Sequence, residues 1–211
     1  MNVATLVLIA VSNCAAAAQI RVTVHVYNSA PESAQVLQRA QKETSWIVGK
    51  SGFTVEWVNC KEAKSTAARQ HLCDESFDPL SFVIGICRAD CTGTAASTAL
   101  GASLMGAGRG NHGVVLYSRI LSTVAANRDL IDTKTLLAYV LAHEIGHLLL
   151  GSAGHGEGIM KTDWQQRDFS KMRQRQLVFT REQTEKLQAA LQRRAVKMYQ
   201  ADDSALILPQ P

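Results

Sequence analysis

The segment from 131 to 151, IDTKTLLAYVLAHEIGHLLLG, is the feature that most constrains how this chain can fold. Its interior consists mainly of residues that favour helix formation, and Asp132 or Thr133 can cap its start. Gly151 can adopt the left-handed backbone conformation that ends a helix. The segment therefore predicts one long helix that ends at Gly151.

Four segments predict β-strands. Ile20, Val22, Val24 and Val26 alternate with polar residues, which is typical of a strand with one buried face. Three further strands are predicted by FTVEWVNC at 53–60, SFVIGIC at 81–87 and HGVVLYSRIL at 112–121.

Two other segments predict helices. PESAQVLQRAQKETSWIVGKSG, at 31–52, opens with proline, closes with glycine and has an amphipathic pattern. FTREQTEKLQAALQRRAV, at 179–196, begins with Thr180 and Gln183 at capping-box spacing. The order of elements predicts an α/β (α+β) fold with a long central helix and a C-terminal helix, in one domain.

The first eighteen residues carry no charged side chain and predict a secretory signal peptide. An apolar run from Val3 to Val11 is followed by small residues through Ala18. The run is shorter than the roughly 20 residues of a membrane span, and VSNC before Cys14 matches a lipoprotein signal poorly. We expect one domain over residues 19–211 of a secreted protein, extracellular or periplasmic, with no membrane attachment after cleavage.

The four cysteines that remain after cleavage predict two disulfides. They are Cys60, Cys73, Cys87 and Cys91, an even number that suits an oxidising compartment. We favour pairing of sequence neighbours, Cys60 with Cys73 and Cys87 with Cys91. A zinc ion held by all four thiolates is the alternative, although the spacings lack the paired C-x-x-C form.

The net charge of +4 is mild and spread along the chain. Its densest part, KMRQRQ at 171–176, lacks interleaved aromatic residues and any nucleic-acid-binding motif. This pattern predicts a solvated surface and argues against nucleic acid as a partner.

His143, Glu144 and His147 form an H-E-x-x-H arrangement within the long helix. Residues i and i+4 lie on one helix face, so His143 and His147 can present two imidazoles to one metal ion. Glu144 lies beside that ion, where a carboxylate can take a proton from a water molecule. The arrangement predicts a zinc site with a general base.

A catalytic zinc ion needs three protein ligands and one open position. Gly151 and Gly154 let the chain double back after the helix and bring His155 to the ion as the third ligand. Glu157 and Asp163 are the alternative third ligands. Met160, in GIM, can form an apolar floor below the metal.

The sequence HEIGHLLLGSAGH followed by GIM resembles the signature of the metzincin clan of zinc metallopeptidases, H-E-x-x-H-x-x-G-x-x-H with a methionine-bearing turn. Both connections after the second histidine are one residue longer here, which indicates a divergent member or neighbour of the clan rather than an astacin or a matrixin. The resemblance implies three zinc ligands, one base, a helix-ending glycine and a turn methionine, carried by His143, His147 and His155, by Glu144, by Gly151 and by Met160.

The resemblance also implies a metzincin-like zincin fold with a twisted mixed sheet, one catalytic Zn²⁺ and a peptide or protein substrate. In metzincins the strand before the site helix is an edge on which the substrate lies as an added strand. The small-residue stretch at 97–117, STALGASLMGAGRGNHGVVLY, is either such an edge or a flexible surface loop. Two alternatives to a peptidase remain: a zinc-stabilised binding or structural protein without turnover, and a zinc hydrolase of a non-peptide amide. The oligomeric state stays open.

The remaining candidate residues carry weaker patterns. His25, His71 and His112 show no ligand spacing, and Thr162 stands where some metzincins have a metal-binding tyrosine. Tyr117 is a candidate hydrogen-bond donor to an oxyanion. Trp164 is expected in the core.

Overall fold

The computed structural model describes residues 19–30, 33–60, 73, 78–88, 98–104, 111–151 and 154–205, with side chains described as far as residue 198. The predicted signal peptide, His71 and Cys91 lie outside the described residues.

The described strands form one five-stranded sheet in the order β2-β1-β3-β5-β4. β2, β1, β3 and β5 run parallel, whereas β4 pairs antiparallel with β5 and forms an edge of the sheet. The strands are β1 (Ile20–Asn28), β2 (Phe53–Cys60), β3 (Ser81–Cys87), β4 (Gly101–Leu104) and β5 (His112–Leu116). The mixed sheet matches the predicted fold class.

The helices of the described residues follow the predicted order, with two additions. They are α1 (Ala34–Gly49), α2 (Tyr117–Ala126), α3 (Thr133–Leu150), α4 (Gln166–Arg173) and α5 (Arg181–Ala205). A single 3₁₀ turn, Gly158–Met160, follows α3. None of the described helices is long and apolar enough to cross a membrane.

Helix α3 is the centre of the fold. The side chain of Asp132 accepts a hydrogen bond from the Thr135 backbone N–H, and Gly151 ends the helix with a φ of 61°. Every residue from 135 to 149 is buried, because α3 packs against α1, α2, α5 and the β4–β5 side of the sheet. Arg194 of α5 donates to the Leu148 carbonyl near the end of α3. The predicted helix and its predicted end are confirmed.

The sheet contributes the other half of the core. Val22, Val24 and Val26 of β1 are fully buried, as the alternating pattern predicts. Burial of each such side chain stabilises the fold by about 1.5 to 3 kcal/mol. At the C-terminal helix, the Thr180 N–H donates to Gln183 and the Gln183 N–H donates to Thr180, so the predicted capping box is present.

The prediction of a strand over 112–121 is wrong in its second half. The strand ends at Leu116, and Tyr117 begins helix α2. Tyr117 and Ile120 are both buried, a spacing of three that puts them on one helix face, whereas a strand would turn them to opposite faces. Of the two interpretations of the stretch at 97–117, residues 101–104 form an edge strand, β4, whereas α4, the shortest α-helix of the described fold, was not predicted.

A disulfide joins Cys60 at the end of β2 to Cys73, which is the favoured pairing. Cys87 at the end of β3 is also disulfide-bonded, although its expected partner Cys91 lies outside the described residues. These bonds are incompatible with the alternative of one zinc ion held by four thiolates.

Candidate metal centre

Three histidine side chains converge at the C-terminal half of α3. One ligand-type nitrogen from each of His143, His147 and His155 lies within 4.8 Å of the others. The Nε2 atoms of His143 and His147 are 2.9 Å apart, one helical turn from each other along α3. His143 and His147 are only 9% and 4% exposed, whereas His155 is exposed. Among the described residues this is the only group of this kind.

The His143 ring is oriented by the turn that carries Met160. Its Nδ1 lies 2.8 Å from the Ile159 carbonyl oxygen, which can only accept a hydrogen bond. The proton therefore resides on Nδ1, and Nε2 keeps a lone pair for a metal ion. Burial lowers the pKa of His143 to about 4, which favours the neutral, ligating form of the imidazole.

The loop after α3 brings His155 back to the other two histidines. Gly158 has a φ of 60°, and a Cβ there would collide with the Val178 carbonyl oxygen, so this turn needs glycine. The Gln183 side chain of α5 donates a hydrogen bond to the Glu157 carbonyl and so links the same loop to α5. The two extra residues of the motif thus do not keep His155 from the cluster.

Neither alternative third ligand belongs to the histidine cluster. Glu157 and Asp163 do not join the group of convergent ligand atoms. Asp163 instead accepts a hydrogen bond from the Gln165 side chain at 2.6 Å. The geometry therefore favours His155 over both carboxylates.

Glu144 is buried next to the histidines. It is 3% exposed, and its Oε2 accepts a hydrogen bond from the Ser103 hydroxyl of β4 at 2.7 Å. On the other side, a Cβ at Gly101 would meet Glu144 Oε1 at 2.5 Å, so the carboxylate lies directly against the β4 backbone. Burial raises the pKa of Glu144 to about 7, although the Ser103 hydrogen bond acts in the opposite direction.

Met160 packs against helix α3 at Gly146. It is 1% exposed, and a Cβ at Gly146 would meet its Sδ atom at 2.6 Å. The same Cβ would lie 3.0 Å from Cε1 of the Phe179 ring, so Phe179 also packs against Gly146. The methionine turn can therefore approach the helix this closely only because residue 146 is a glycine.

The histidines and Glu144 line a cleft of about 320 Å³. One wall is the edge-strand segment 98–103, and the other is the segment 161–164 after the methionine turn. Val140 and Phe169 add apolar surface to its lining. A cleft of this size, with a few convergent polar groups, is typical of a ligand-binding site.

Strand β4 forms part of one wall of the cleft, and some of its backbone groups point away from the neighbouring strand β5. The Leu116 N–H donates to the Leu100 carbonyl, in the register that places Gly101 opposite Val115. Bonded and non-bonded pairs alternate along an antiparallel ladder, so the backbone groups of Gly101 and Ser103 point away from β5. An extended chain can pair with them.

Other candidate residues lie outside the site or have different surroundings. Tyr117 is buried at the start of α2 and does not line the cleft, and neither does His112, which is exposed. Trp164 is partly buried against the core, as expected, but it also lines the cleft, with its ring centroid 5.5 Å from that of His143. The sequence analysis missed Ser103, because its contact with Glu144 joins residues 41 positions apart.

The donor set fits zinc. Three imidazoles with an open side facing a cleft are a ligand set of catalytic zinc sites. Ligands on tetrahedral zinc stand about 3.3 Å apart, given a Zn–N distance of about 2.0 Å. The Nε2 atoms of His143 and His147 are 2.9 Å apart, and one nitrogen from each of the three histidines lies within 4.8 Å of the other two.

The fold and this site together define a mixed α/β protein with a three-histidine site that could hold a metal ion. Among solved structures, the chain is similar to the crystal structure of archaemetzincin from Methanopyrus kandleri, with 18% sequence identity and a TM-score of 0.52. The match covers 82% of this chain and 96% of the archaemetzincin chain. No protein-family model matches the chain, and a search of curated proteins gives no match. At this identity the likeness establishes the fold.

Proposed function

We propose that this chain is a secreted zinc-dependent metallopeptidase, with His143, His147 and His155 as ligands and Glu144 as general base. The observation that carries the proposal is the convergence of three imidazoles beside a buried carboxylate at the wall of a cleft. The archaemetzincin-like fold supports the proposal. The histidine motif supports it independently of the fold, because the motif resembles the metzincin signature.

The chain's own residues divide the work of hydrolysis. When bound, zinc would act as a Lewis acid on the scissile carbonyl and lower the pKa of a water molecule to about 7. Glu144 accepts the proton from the attacking water and delivers it to the amine that leaves. Met160 supports the helix from below.

A peptide is the substrate that suits the cleft wall. The outward backbone groups of Gly101 and Ser103 can hydrogen-bond to an extended chain that lies along β4 as a further strand. Such a chain would pass beside Glu144 and the histidines, because Gly101 and Ser103 flank that carboxylate. The bonds formed by Cys60, Cys73 and Cys87 support an oxidising compartment, as expected for a secreted protein.

Glu144→Ala tests the assignment of the base. The variant keeps all three histidines, so we expect one zinc ion per chain and a loss of hydrolysis of an unfolded protein substrate by more than a hundredfold. Zinc content is measured by atomic emission and cleavage by release of new amino termini. Equal hydrolysis by wild type and variant would contradict the mechanism.

His155→Ala tests the third ligand, with His112→Ala as the control because His112 is exposed and outside the cleft. We expect the first variant to lose zinc on dialysis against a weak chelator and the control to retain it. Full zinc occupancy in His155→Ala would contradict His155 as the third ligand and would favour Glu157 or Asp163 instead.

The same samples separate the proposal from its alternatives. Tight zinc binding without cleavage of any protein, but with turnover of small amides, would identify a non-peptide amide hydrolase. Zinc binding that raises the melting temperature, with no turnover of either substrate type, would identify a zinc-stabilised binding protein.

A further inference from the structure

We propose that Ser103 is a positioning residue that holds the Glu144 carboxylate in place beside the histidine cluster; the inference rests on the proposed function of Glu144. Ser103 lies on β4, and its hydroxyl donates to Glu144 Oε2 at 2.7 Å. Among the residues that the structure describes, it is the one hydrogen-bond donor to the Glu144 side chain.

The carboxylate is fixed from two sides by one strand. Residues 101 and 103 of a strand share a face, and both face Glu144. The Gly101 backbone lies against Oε1, while the Ser103 hydroxyl binds Oε2. Contact with Gly101 limits how far the carboxylate can move, but only the Ser103 hydrogen bond is directional. Without it, a buried carboxylate would turn toward the nearby imidazoles.

Ser103 also connects the base to the surface on which a peptide would dock. Its side chain faces Glu144, and its backbone groups point to the open edge of β4. A substrate that pairs with the Ser103 backbone is therefore placed by the same residue that orients the base. A hydroxyl donor is needed at 103, and alanine would remove the directional contact without adding bulk.

Two substitutions and one control test this role in the full-length protein. Ser103→Ala removes the hydroxyl, Ser103→Thr retains it, and Ser122→Ala removes an exposed α2 hydroxyl that donates to the Ser118 carbonyl. We expect Ser103→Ala to lower kcat about tenfold at unchanged KM and zinc content, because a charge-assisted hydrogen bond to the base is lost. Ser103→Thr should restore kcat to within about threefold, and Ser122→Ala should match wild type.

A second readout needs no turnover. Acetohydroxamate chelates a metal ion and donates a hydrogen bond to a neighbouring carboxylate, so its affinity reports where the Glu144 carboxylate lies. With Co²⁺ in place of zinc, binding is followed by visible absorption. We expect Ser103→Ala to weaken binding about tenfold. In the Glu144→Ala background, which removes the acceptor of the Ser103 hydrogen bond, Ser103→Ala should have no further effect, because Ser103 acts through Glu144.

The two readouts separate failure of the inference from failure of the proposed function. If wild type cleaves peptides and Ser103→Ala is within twofold of it in kcat and in acetohydroxamate affinity, the role of Ser103 is overturned while the peptidase stands. If wild type cleaves nothing, the peptidase fails, and the acetohydroxamate titration still decides for or against Ser103. An equal effect of Ser103→Ala in both Glu144 backgrounds would also overturn the inference.

Discussion

Gly101→Ala is the substitution that most sharply tests how closely the base is packed against the edge strand. A Cβ at 101 would meet Glu144 Oε1 at 2.5 Å and the Val114 carbonyl oxygen at 2.9 Å, whereas ordinary contact begins at 3.4 Å. The Glu144 carboxylate can rotate, but the Val114 carbonyl belongs to the backbone of β5. Alanine therefore has to displace β4 by about 0.5 Å and the carboxylate by about 1 Å.

A shift of this size has a predictable cost. Displacement of a catalytic group by about 1 Å lowers turnover about a hundredfold, which equals about 2.7 kcal/mol in transition-state stabilisation. The histidines lie on α3 and on the loop after it, so zinc content should not change. The assay is kcat/KM on an unfolded protein substrate, with zinc measured on the same sample.

Gly49→Ala is the matched control. Among the described residues, no atom outside the adjoining helix backbone lies within 4 Å of the position of a Cβ at Gly49, which is the last residue of α1. This variant should retain wild-type activity and zinc. Wild-type activity in Gly101→Ala would refute the proposed packing of the base, and so would a loss of activity that follows a loss of zinc.

Two further predictions concern the loop and the metal-free protein. Gly158→Ala places a side chain in a left-handed backbone conformation and against the Val178 carbonyl, so the loop that carries His155 must shift. Chelator competition should then show a zinc affinity at least about tenfold below that of wild type. An unchanged zinc affinity would contradict this role of Gly158. In the metal-free protein, burial raises the pKa of Glu144 from 4.5 to about 7, so the stability that the protonated form contributes is lost as pH rises through about 7. We therefore expect the free energy of unfolding of metal-free Glu144→Gln, relative to that of metal-free wild type, to increase by about 2 to 3 kcal/mol from pH 5 to pH 8, as measured by urea denaturation. If this difference does not change with pH, the raised pKa of Glu144 is contradicted.

The elements that the sequence predicts best are those with strong local patterns. The long helix has a cap at Asp132, a stop at Gly151 and helix-forming residues between them, so its ends are predictable from nearby residues alone. The strands at 53–60 and 81–87 are predicted with their observed bounds. Each of these segments contains the information that determines its structure.

The elements that the sequence left open or predicted wrongly depend on distant contacts. β4 lies in a run of small residues with little preference for a strand, and it forms because it pairs with β5. Tyr117 could continue a strand or begin a helix, and only its packing in the fold decides between them. The contact between Ser103 and Glu144 has no local signal, since it joins a strand to a helix.

The candidate site divides in the same way. The helical spacing of His143 and His147 brings both imidazoles to one face, which the sequence alone predicts. The approach of His155 depends on the left-handed turn at Gly158 and on the bond from Gln183, and neither belongs to the histidine motif. Local pattern therefore predicts two of the three convergent histidines more strongly than the third.

The most direct test of the account is a zinc titration of the metal-free protein that follows cleavage of an unfolded protein substrate. Three histidines at one cleft predict a single ion, so activity should be absent after chelation and rise linearly to a plateau at one zinc per chain. Cleavage that persists in the metal-free protein would contradict the central claim, as would a protein that binds one zinc and never cleaves.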